Sequence, residues 1–490
     1  MIFNRHLRWL VLLFWAALPA LAHVGTTTVF VQGNAGPYPV YVTVTPPAVV
    51  PGEAQVSVIC DAADVRSMSA QANVLAGEAS RYMPEGQALT PGPAAGPAGS
   101  HEFHGSVWIM TQGSWQIRLT VKGARGDGVL AVPLSASPTR LMRMSRPFGA
   151  LLIALGVMLI AGLAALAAAF VREAQTEPGA EPAAANSRAG WRAGAIAVLG
   201  CGALLLIGNH LWRQEIARYS GNIYQPLRMQ TTLAGGVLHL HLEPPSAAEE
   251  VFSSRRLDDL VLDHNHLMHL YLVRWPAMDV VFHLHPAQVA AGEFDVGLPS
   301  LRGGEYRLFA DIVHADGFPE TAVATLHFDA SAGRDLTGDD AGGVVLPDLR
   351  LADGLRYRFA VESPVESPGG QATEIRAGQP VVLRFTLVDS AGQAPSGMQD
   401  YMGMAGHLAI IKDDGSVFAH IHPNGSAAMA AYMMANAAVP NGGAPMDMGA
   451  PQTNVAAFPF GFPSAGTYRL VVQMKHGGTV ETGATDVVVR

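Results

Sequence analysis

Cysteine and charge are both scarce in this chain. It has 2 Cys among 490 residues, and Asp, Glu, Lys and Arg together make up 14%. Two cysteines cannot build a disulfide framework or a four-thiolate zinc site. The low charged fraction and the mean hydropathy of +0.22 exclude a disordered, solvated chain and favour membrane segments. The net charge of −9 excludes nucleic acid as a partner, because phosphate binding needs an excess of Lys and Arg.

The first 22 residues have the pattern of a secretory signal peptide. Basic residues near the start precede an apolar run that ends in Ala20-Leu21-Ala22, a small-x-small cleavage pattern. Cleavage after Ala22 would leave His23 as the mature N-terminus.

Two longer apolar runs predict a transmembrane hairpin. We expect helices at 147–171 and 193–212, each long enough to cross the hydrocarbon core, joined by a cytoplasmic loop at 172–192. With an exported N-terminus, residues 23–146 and 213–490 share the other side of the membrane. The sequence therefore predicts a bacterial inner-membrane protein, in contact with the lipid bilayer, whose soluble domains face the periplasm.

The segments outside these runs predict an all-β fold. Residues 113–123 and 380–389 alternate apolar and polar residues between Gly and Pro turns, as strands of immunoglobulin-like sandwiches do. We expect one β-sandwich at 23–146 and two more at 213–336 and 337–490. The Met-rich, low-complexity stretch at 426–451 is expected to be a flexible insertion.

An internal repeat connects the last two domains. The pattern H-x-H-P occurs at 283–286 and again at 420–423, and the later segments YRLFADIVH and YRLVVQMKH also correspond. The matched histidines are His269 with His407, His283 with His420, His285 with His422, and His314 with His476.

The matched histidines predict a metal site. Residues two apart on a strand share one face, so each H-x-H places two imidazoles side by side. Imidazole suits copper and zinc, whereas thioether sulfur selects Cu(I), and Met402 and Met404 closely precede His407. We therefore predict copper as the bound ion, with zinc as the alternative, and regard the eight matched histidines and these two methionines as candidate ligands.

Other histidines are less clearly interpreted. A packing role competes with ligation at His314 and His476, because both follow apolar strands. We interpret His239 and His241 as structural, since the second copy has Leu383 and Phe385 in a similar stretch. The sequence leaves open whether His264 and His266 add ligands.

The N-terminal domain offers a second candidate copper site. A mature His23 would present an α-amine and an imidazole as a chelating pair, with His101 and His104 as available partners. With its V-x-P-G stretch at 49–52 and its G-S-W-x-I-x-L strand at 113–119, the domain resembles the CopC and YtkA-like extracytoplasmic β-sandwich proteins. This resemblance implies copper binding at His23, His101 and His104. The C-terminal half resembles bacterial membrane-anchored H-x-H-P domains of unassigned function.

These patterns favour a membrane-anchored periplasmic protein for copper handling, or for metallation of a membrane enzyme as its partner. No catalytic residue is predicted. One alternative is a scaffold or adhesion module without metal. The other is a cupin-like metalloenzyme, although the acidic residue expected after the second His is missing: Val289 and Ala290 stand there in the first copy, Ser426 and Ala427 in the second.

Overall fold

A computed structural model describes most of the chain. The described residues are 28–60, 64–92, 101–141, 144–174, 176–221, 223–243, 256–351, 353–364, 370–371, 374–437, 439 and 453–490. They form two compact units: one contains the residues up to 137 together with 225–490, and the other contains residues 138–224. The predicted signal peptide and His23 lie outside the described residues.

The smaller unit is a pair of long apolar helices. Helix α1 spans Arg146–Glu173 and helix α2 spans Ala184–Ser220, so α2 extends beyond the predicted 193–212 at both ends. The backbones approach closely at Gly190, where an added Cβ would lie 2.7 Å from the Ala168 carbonyl oxygen. Small residues permit such approach between membrane helices. Both helices are long and apolar enough to cross a membrane.

The first β domain of the larger unit consists of two facing sheets. Its strands are β1 (Val29–Ala35), β2 (Tyr38–Thr45), β3 (Gly52–Cys60), β4 (Val65–Val74), β5 (Gln87–Ala88), β6 (Thr90–Pro91), β7 (His101–Ile109), β8 (Gly113–Gly123) and β9 (Gly126–Ala136). One sheet has the order β1-β2-β3-β7-β6 and the other the order β5-β4-β8-β9. Alternate residues such as Val56, Val58, Ile117 and Leu119 point inward and form the core, as the period of two predicts.

The second β domain carries the first H-x-H-P motif. Its strands are β10 (Arg228–Ala234), β11 (Val237–Glu243), β12 (His269–Trp275), β13 (Val280–Leu284), β14 (Ala287–Ala290), β15 (Glu293–Gly297), β16 (Gly304–Val313), β17 (Pro319–Phe328) and β18 (Ala341–Val344). They form one sheet of order β14-β15-β11-β10-β17-β16-β12-β13-β18, and the core lies between its two halves. Strand β18 pairs with β13, although the predicted boundary at 337 assigns it to the next domain.

The third β domain carries the second motif. Its strands are β19 (Arg356–Ser363), β20 (Gly370–Gln371), β21 (Pro380–Val388), β22 (Met398–Gln399), β23 (His407–Lys412), β24 (Phe418–Ile421), β25 (Val455–Gly461), β26 (Gly466–His476) and β27 (Thr479–Val489), with helix α3 (Met429–Ala437) after β24. One sheet has the order β20-β19-β21-β25, the other the order β22-β26-β23-β24, and β27 pairs with β26. The predicted all-β fold with a helical pair is confirmed.

The expectation of a flexible insertion is wrong for residues 429–437. They form α3, with Met429, Ala430, Ala431 and Ala435 buried. Asn436 anchors this helix to β9: its side chain donates to the Ala131 carbonyl at 2.8 Å and accepts from the Ala131 N–H at 3.0 Å. Although Ala and Met are strong helix formers, the low-complexity pattern did not reveal this helix. The reason is that its apolar residues find their packing partners only in another domain.

Candidate metal centre

The two repeats pack face to face through their histidine-bearing strands. In each, one face of the central hairpin covers the repeat's own core and the other faces the partner repeat. Phe309 and Phe418 stack across this interface, with ring centroids 4.3 Å apart. The histidines continue the same faces beyond these rings. An interface that begins as an apolar core therefore ends as a cluster of imidazoles.

The two hairpins have the same register. In the first repeat, His283 lies opposite Tyr271 on β12; in the second, His420 lies opposite Ala409 on β23. His269 and His407 each begin their strand. Equivalent histidines therefore occupy equivalent backbone positions, as the aligned motifs predicted.

Each repeat also contributes a tight turn ahead of its first histidine. In the first, Asp263 and His266 exchange both backbone hydrogen bonds, at 2.8 and 3.0 Å; in the second, Tyr401 and Met404 do the same, at 2.7 and 3.2 Å. The turns have positive φ at their central residues, 48° at His264 and 51° at Met402. His264 and Met402 are therefore structural equivalents, and so are His266 and Met404.

Two groups of three histidines have their ligand nitrogens within 4.8 Å of one another. The His264 group consists of His264, His407 and His422, and the His269 group consists of His269, His283 and His420. Each group takes ligands from both repeats. Among the described residues, neither repeat alone supplies such a set of three histidines.

Several imidazole nitrogens in the cluster have no hydrogen-bond partner although they are buried. They are Nε2 of His264, His285, His420 and His422, and both ring nitrogens of His407. Leaving a buried polar atom unpaired costs about 1–3 kcal/mol, so a concentration of such atoms requires an explanation.

In three of these histidines the other ring nitrogen faces an acceptor. His264 Nδ1 donates to the Met402 carbonyl at 2.8 Å, and His285 Nδ1 lies 3.0 Å from the Asp340 carboxylate. His422 Nδ1 lies 3.4 Å from the Ala427 carbonyl oxygen. Metal-binding histidines have this arrangement, in which an outer acceptor fixes the tautomer and directs the other lone pair at the ion.

Two imidazole nitrogens face each other closely at the contact between His269 and His283. His269 Nε2 donates to the Asp263 carbonyl at 3.0 Å, and His283 Nδ1 lies 2.9 Å from Gln473 Oε1. A neutral imidazole has only one N–H, so His269 Nδ1 presents a lone pair to His283 Nε2, 3.0 Å away. Two nitrogens that bind one ion, each about 2.0–2.1 Å from it, would lie roughly 3 Å from one another.

A carboxylate and an amide flank the cluster at equivalent positions. Asp311 pairs with His269 on the neighbouring strand, as Gln473 pairs with His407. Each side chain reaches across the interface: Asp311 Oδ2 lies 3.5 Å from His420 Nδ1, and Gln473 contacts His283. Burial raises the pKa of Asp311 to about 7, although the hydroxyl of Thr321 donates to its carboxylate.

The cluster histidines are held neutral. Burial, followed by repulsion from neighbouring imidazoles, lowers the pKa of His269, His283, His407, His420 and His422 well below the ordinary value. Burial also lowers the pKa of His285, partly offset by Asp340. Since only neutral imidazole binds a metal ion, these environments keep the histidines in their metal-binding form near pH 7.

Helix α3 begins beside the cluster. Asp263, in the turn of the first repeat, accepts a hydrogen bond from the Ala430 N–H at 2.8 Å, where the helix begins. Just before α3, Gly425 pairs with Val31 of the first β domain. Residues 425–430 are therefore fixed against the first β domain and against the turn of the first repeat.

Not every predicted ligand joins the cluster. His314 lies apart, with Nε2 at 3.0 Å from Glu320 and Nδ1 at 3.2 Å from Asp259. His476 donates to the Ser396 carbonyl and lies in a separate group with Asp353 and Glu481. Met402 contributes its carbonyl oxygen, as the acceptor from His264. Met404 closes the same turn through its backbone.

The remaining histidines have other partners. His239 and His241 pair with Asp295 and Glu293 across β15, in keeping with their interpretation as structural. His104 lies half-exposed beside Glu102 on β7, and His101 contacts the Phe103 ring. The predicted copper site at His23 stays a prediction, since His23 lies outside the described residues.

Sequence reasoning missed several groups around the cluster. Asp311 and Gln473 occupy the same place in the aligned segments YRLFADIVH and YRLVVQMKH, and a polar residue at that point of an apolar strand was a usable signal. Tyr271 had no comparable signal. Its ring stacks on His283 at 4.2 Å, and its buried hydroxyl has no partner among the described residues.

Comparisons with known proteins give little functional information. Residues 369–490 match DUF8832, a domain of unknown function. No curated protein matches the chain. Among solved structures, the tetra-tandem repeat of a large adhesion protein matches at 11% identity and a TM-score of 0.17, covering 91% of this chain and 97% of that one. A putative membrane-anchored protein from Corynebacterium diphtheriae matches at 8% identity and a TM-score of 0.15, covering 94% and 95%. These scores are too low to support an argument about function.

Proposed function

We propose that this chain is a membrane-anchored periplasmic protein that binds copper at the junction of its two repeats and serves copper handling or the metallation of a membrane enzyme. The observation that carries the proposal is the close approach of two buried imidazole nitrogens, His269 Nδ1 and His283 Nε2, 3.0 Å apart with an oxygen at the outer nitrogen of each ring. Both nitrogens can bind one cation. The unpartnered nitrogens of the five other histidines support the same conclusion.

The ligand chemistry supports copper over zinc. The two groups contain imidazole only, and in each group a backbone carbonyl accepts from an outer nitrogen, that of His264 or His269. For a given set of nitrogen ligands, affinity rises to its maximum at Cu(II) and is lower for Zn(II). Met402 and Met404, at positions equivalent to His264 and His266, place thioethers close in sequence to the second repeat's ligands.

Metal content tests the proposal. The full chain, purified in detergent after export in a copper-supplemented host, is expected to retain copper measured by elemental mass spectrometry. Replacing His283 and His407 together by Gln, one ligand from each group, should remove most of it. His241→Gln is the matched control, since His241 is a half-exposed histidine outside the cluster. A folded protein that retains no copper, or retains zinc in preference, would contradict the proposal.

A further inference from the structure

We propose that the cluster is one binuclear centre, which holds two neighbouring ions with an open position for a small anion between them. This inference rests on the proposed function, because it takes the imidazoles to be ligands. It concerns the number and spacing of the ions and the class of ligand they bind.

The first argument is the number of complete ligand sets. The His264 group and the His269 group share no residue, and each has three donor nitrogens within 4.8 Å of one another. Three nitrogens are a sufficient set for one copper or zinc ion, with a fourth position left open. Two sets therefore provide for two ions.

The second argument is the distance between the groups. His420 of the His269 group has its ring centroid 5.3 Å from that of His407 and 4.8 Å from that of His422, both in the His264 group. His264 and His269 are 6.3 Å apart by the same measure. The rings of one group directly contact the rings of the other, so two ions would be neighbours rather than occupants of separate sites.

The third argument is the set of polar atoms that the two groups leave unused. His285 Nε2 and the Tyr271 hydroxyl are buried and unpartnered among the described residues. The Tyr271 ring contacts His283 and His420, at 4.2 and 5.3 Å, and the His285 ring lies 5.0 Å from His269. A hydroxyl donor and a further imidazole thus border the His269 group, where they can bind a small ligand.

The fourth argument concerns charge. The imidazoles are uncharged, so two cations would bring several positive charges into a buried space at a high desolvation cost. Asp311, which lies 3.5 Å from His420, supplies one nearby carboxylate. A bridging anion such as hydroxide would supply further negative charge and complete both coordination shells. The expected ligand class is therefore a small anion, for which azide is a suitable probe.

Copper stoichiometry and electron paramagnetic resonance test the inference on the full chain in detergent, loaded with Cu(II) and checked for oxidation state at the copper K-edge. We expect about two coppers per chain, one for each group, and a signal intensity per Cu(II) well below that of isolated ions, because neighbouring spins couple. Azide should add a ligand-to-metal absorption band. His264→Gln should lose one copper and restore the full signal of the other, whereas the control His241→Gln should change neither.

Each other outcome has a distinct meaning. Two coppers with full, uncoupled intensity would overturn the binuclear centre and leave the proposed function standing. One copper per chain in the wild type would also overturn the binuclear centre and leave the proposed function standing. No copper in a folded chain would overturn both. Because the decisive comparison is made on the wild type, it does not depend on the variants folding.

Discussion

His264 donates a hydrogen bond from Nδ1 to the carbonyl oxygen of Met402 at 2.8 Å, and these two residues occupy equivalent positions in the two repeats. Asp311 and Gln473 are related in the same way, since each reaches across the interface to an H-x-H histidine of the other repeat. The repeats thus meet as a pseudo-symmetric pair. The symmetry is broken at these positions, because the first repeat has His264 and Asp311 where the second has Met402 and Gln473. The first repeat therefore contributes more imidazoles, and it contributes the carboxylate.

His407→Leu should separate metal binding from stability. His407 is fully buried and neither of its ring nitrogens has a partner, so a leucine of similar size removes an unsatisfied polar group. With a chelator present, we expect the variant to be as stable as the wild type or more stable by about 1 kcal/mol, measured by chemical denaturation. Copper should stabilise the variant much less than it stabilises the wild type. A loss of several kcal/mol in the presence of chelator would indicate that the imidazole is structural.

Copper should raise the melting temperature of the wild type in a concentration-dependent way. A ligand that binds only the folded state at 100 times its dissociation constant adds about 2.7 kcal/mol of stability. For β domains of this size, that corresponds to a rise of roughly 5–10 °C, measurable by differential scanning fluorimetry of the detergent-solubilised chain. Chelator should reverse the rise. A melting temperature that does not change with copper concentration would favour the scaffold interpretation.

His314 should make a pH-dependent contribution to stability. Burial alone would lower the pKa of His314, but hydrogen bonds and charge from Glu320 and Asp259 outweigh it and raise the pKa. The folded state therefore holds the proton more tightly than the unfolded state does, and the stabilisation is complete below pH ~6.5 and lost as the pH rises through the raised pKa.

The test is the stability of His314→Gln against the wild type across this range. Breaking a buried pair costs about 3–5 kcal/mol, so the wild type should be more stable by roughly that amount at mildly acidic pH. The difference should shrink in alkaline buffer. A difference that stays constant with pH would show that His314 contributes packing rather than a charged pair.

Asn436→Ala should loosen α3 without unfolding the domains. The substitution removes both hydrogen bonds to Ala131 and leaves that backbone pair unsatisfied, at a cost of about 1–3 kcal/mol. Amide hydrogen exchange in residues 429–437 should accelerate about tenfold for each 1.4 kcal/mol lost. Met433→Ala, at a residue on the same helix that is 63% exposed, is the control and should leave exchange nearly unchanged. Equal exchange in the two variants would mean that Asn436 does not anchor the helix.

Much of the fold could be predicted because its signals are local. Alternation along β3, β8 and β21 defines strands, and uninterrupted apolar runs define α1 and α2, since each pattern arises from burial of that segment's own side chains. The internal repeat predicted a further feature of the fold. The aligned H-x-H-P motifs implied that His283 and His420 occupy equivalent places, and they do. Helix α3 escaped prediction because its apolar face is buried by β9, which lies some 300 positions earlier in the chain.

By itself, the sequence determined the strands, the two membrane-length helices and the residue types that make a metal site chemically reasonable. Only the tertiary structure decided which histidines meet. Spacing grouped the ligands within each repeat, whereas the fold groups them across the interface, recruits His264 and places His314 and His476 elsewhere. The physical reason is that a strand's period of two determines which residues share a face. What that face packs against depends on the docking of two distant domains, and no local pattern encodes that.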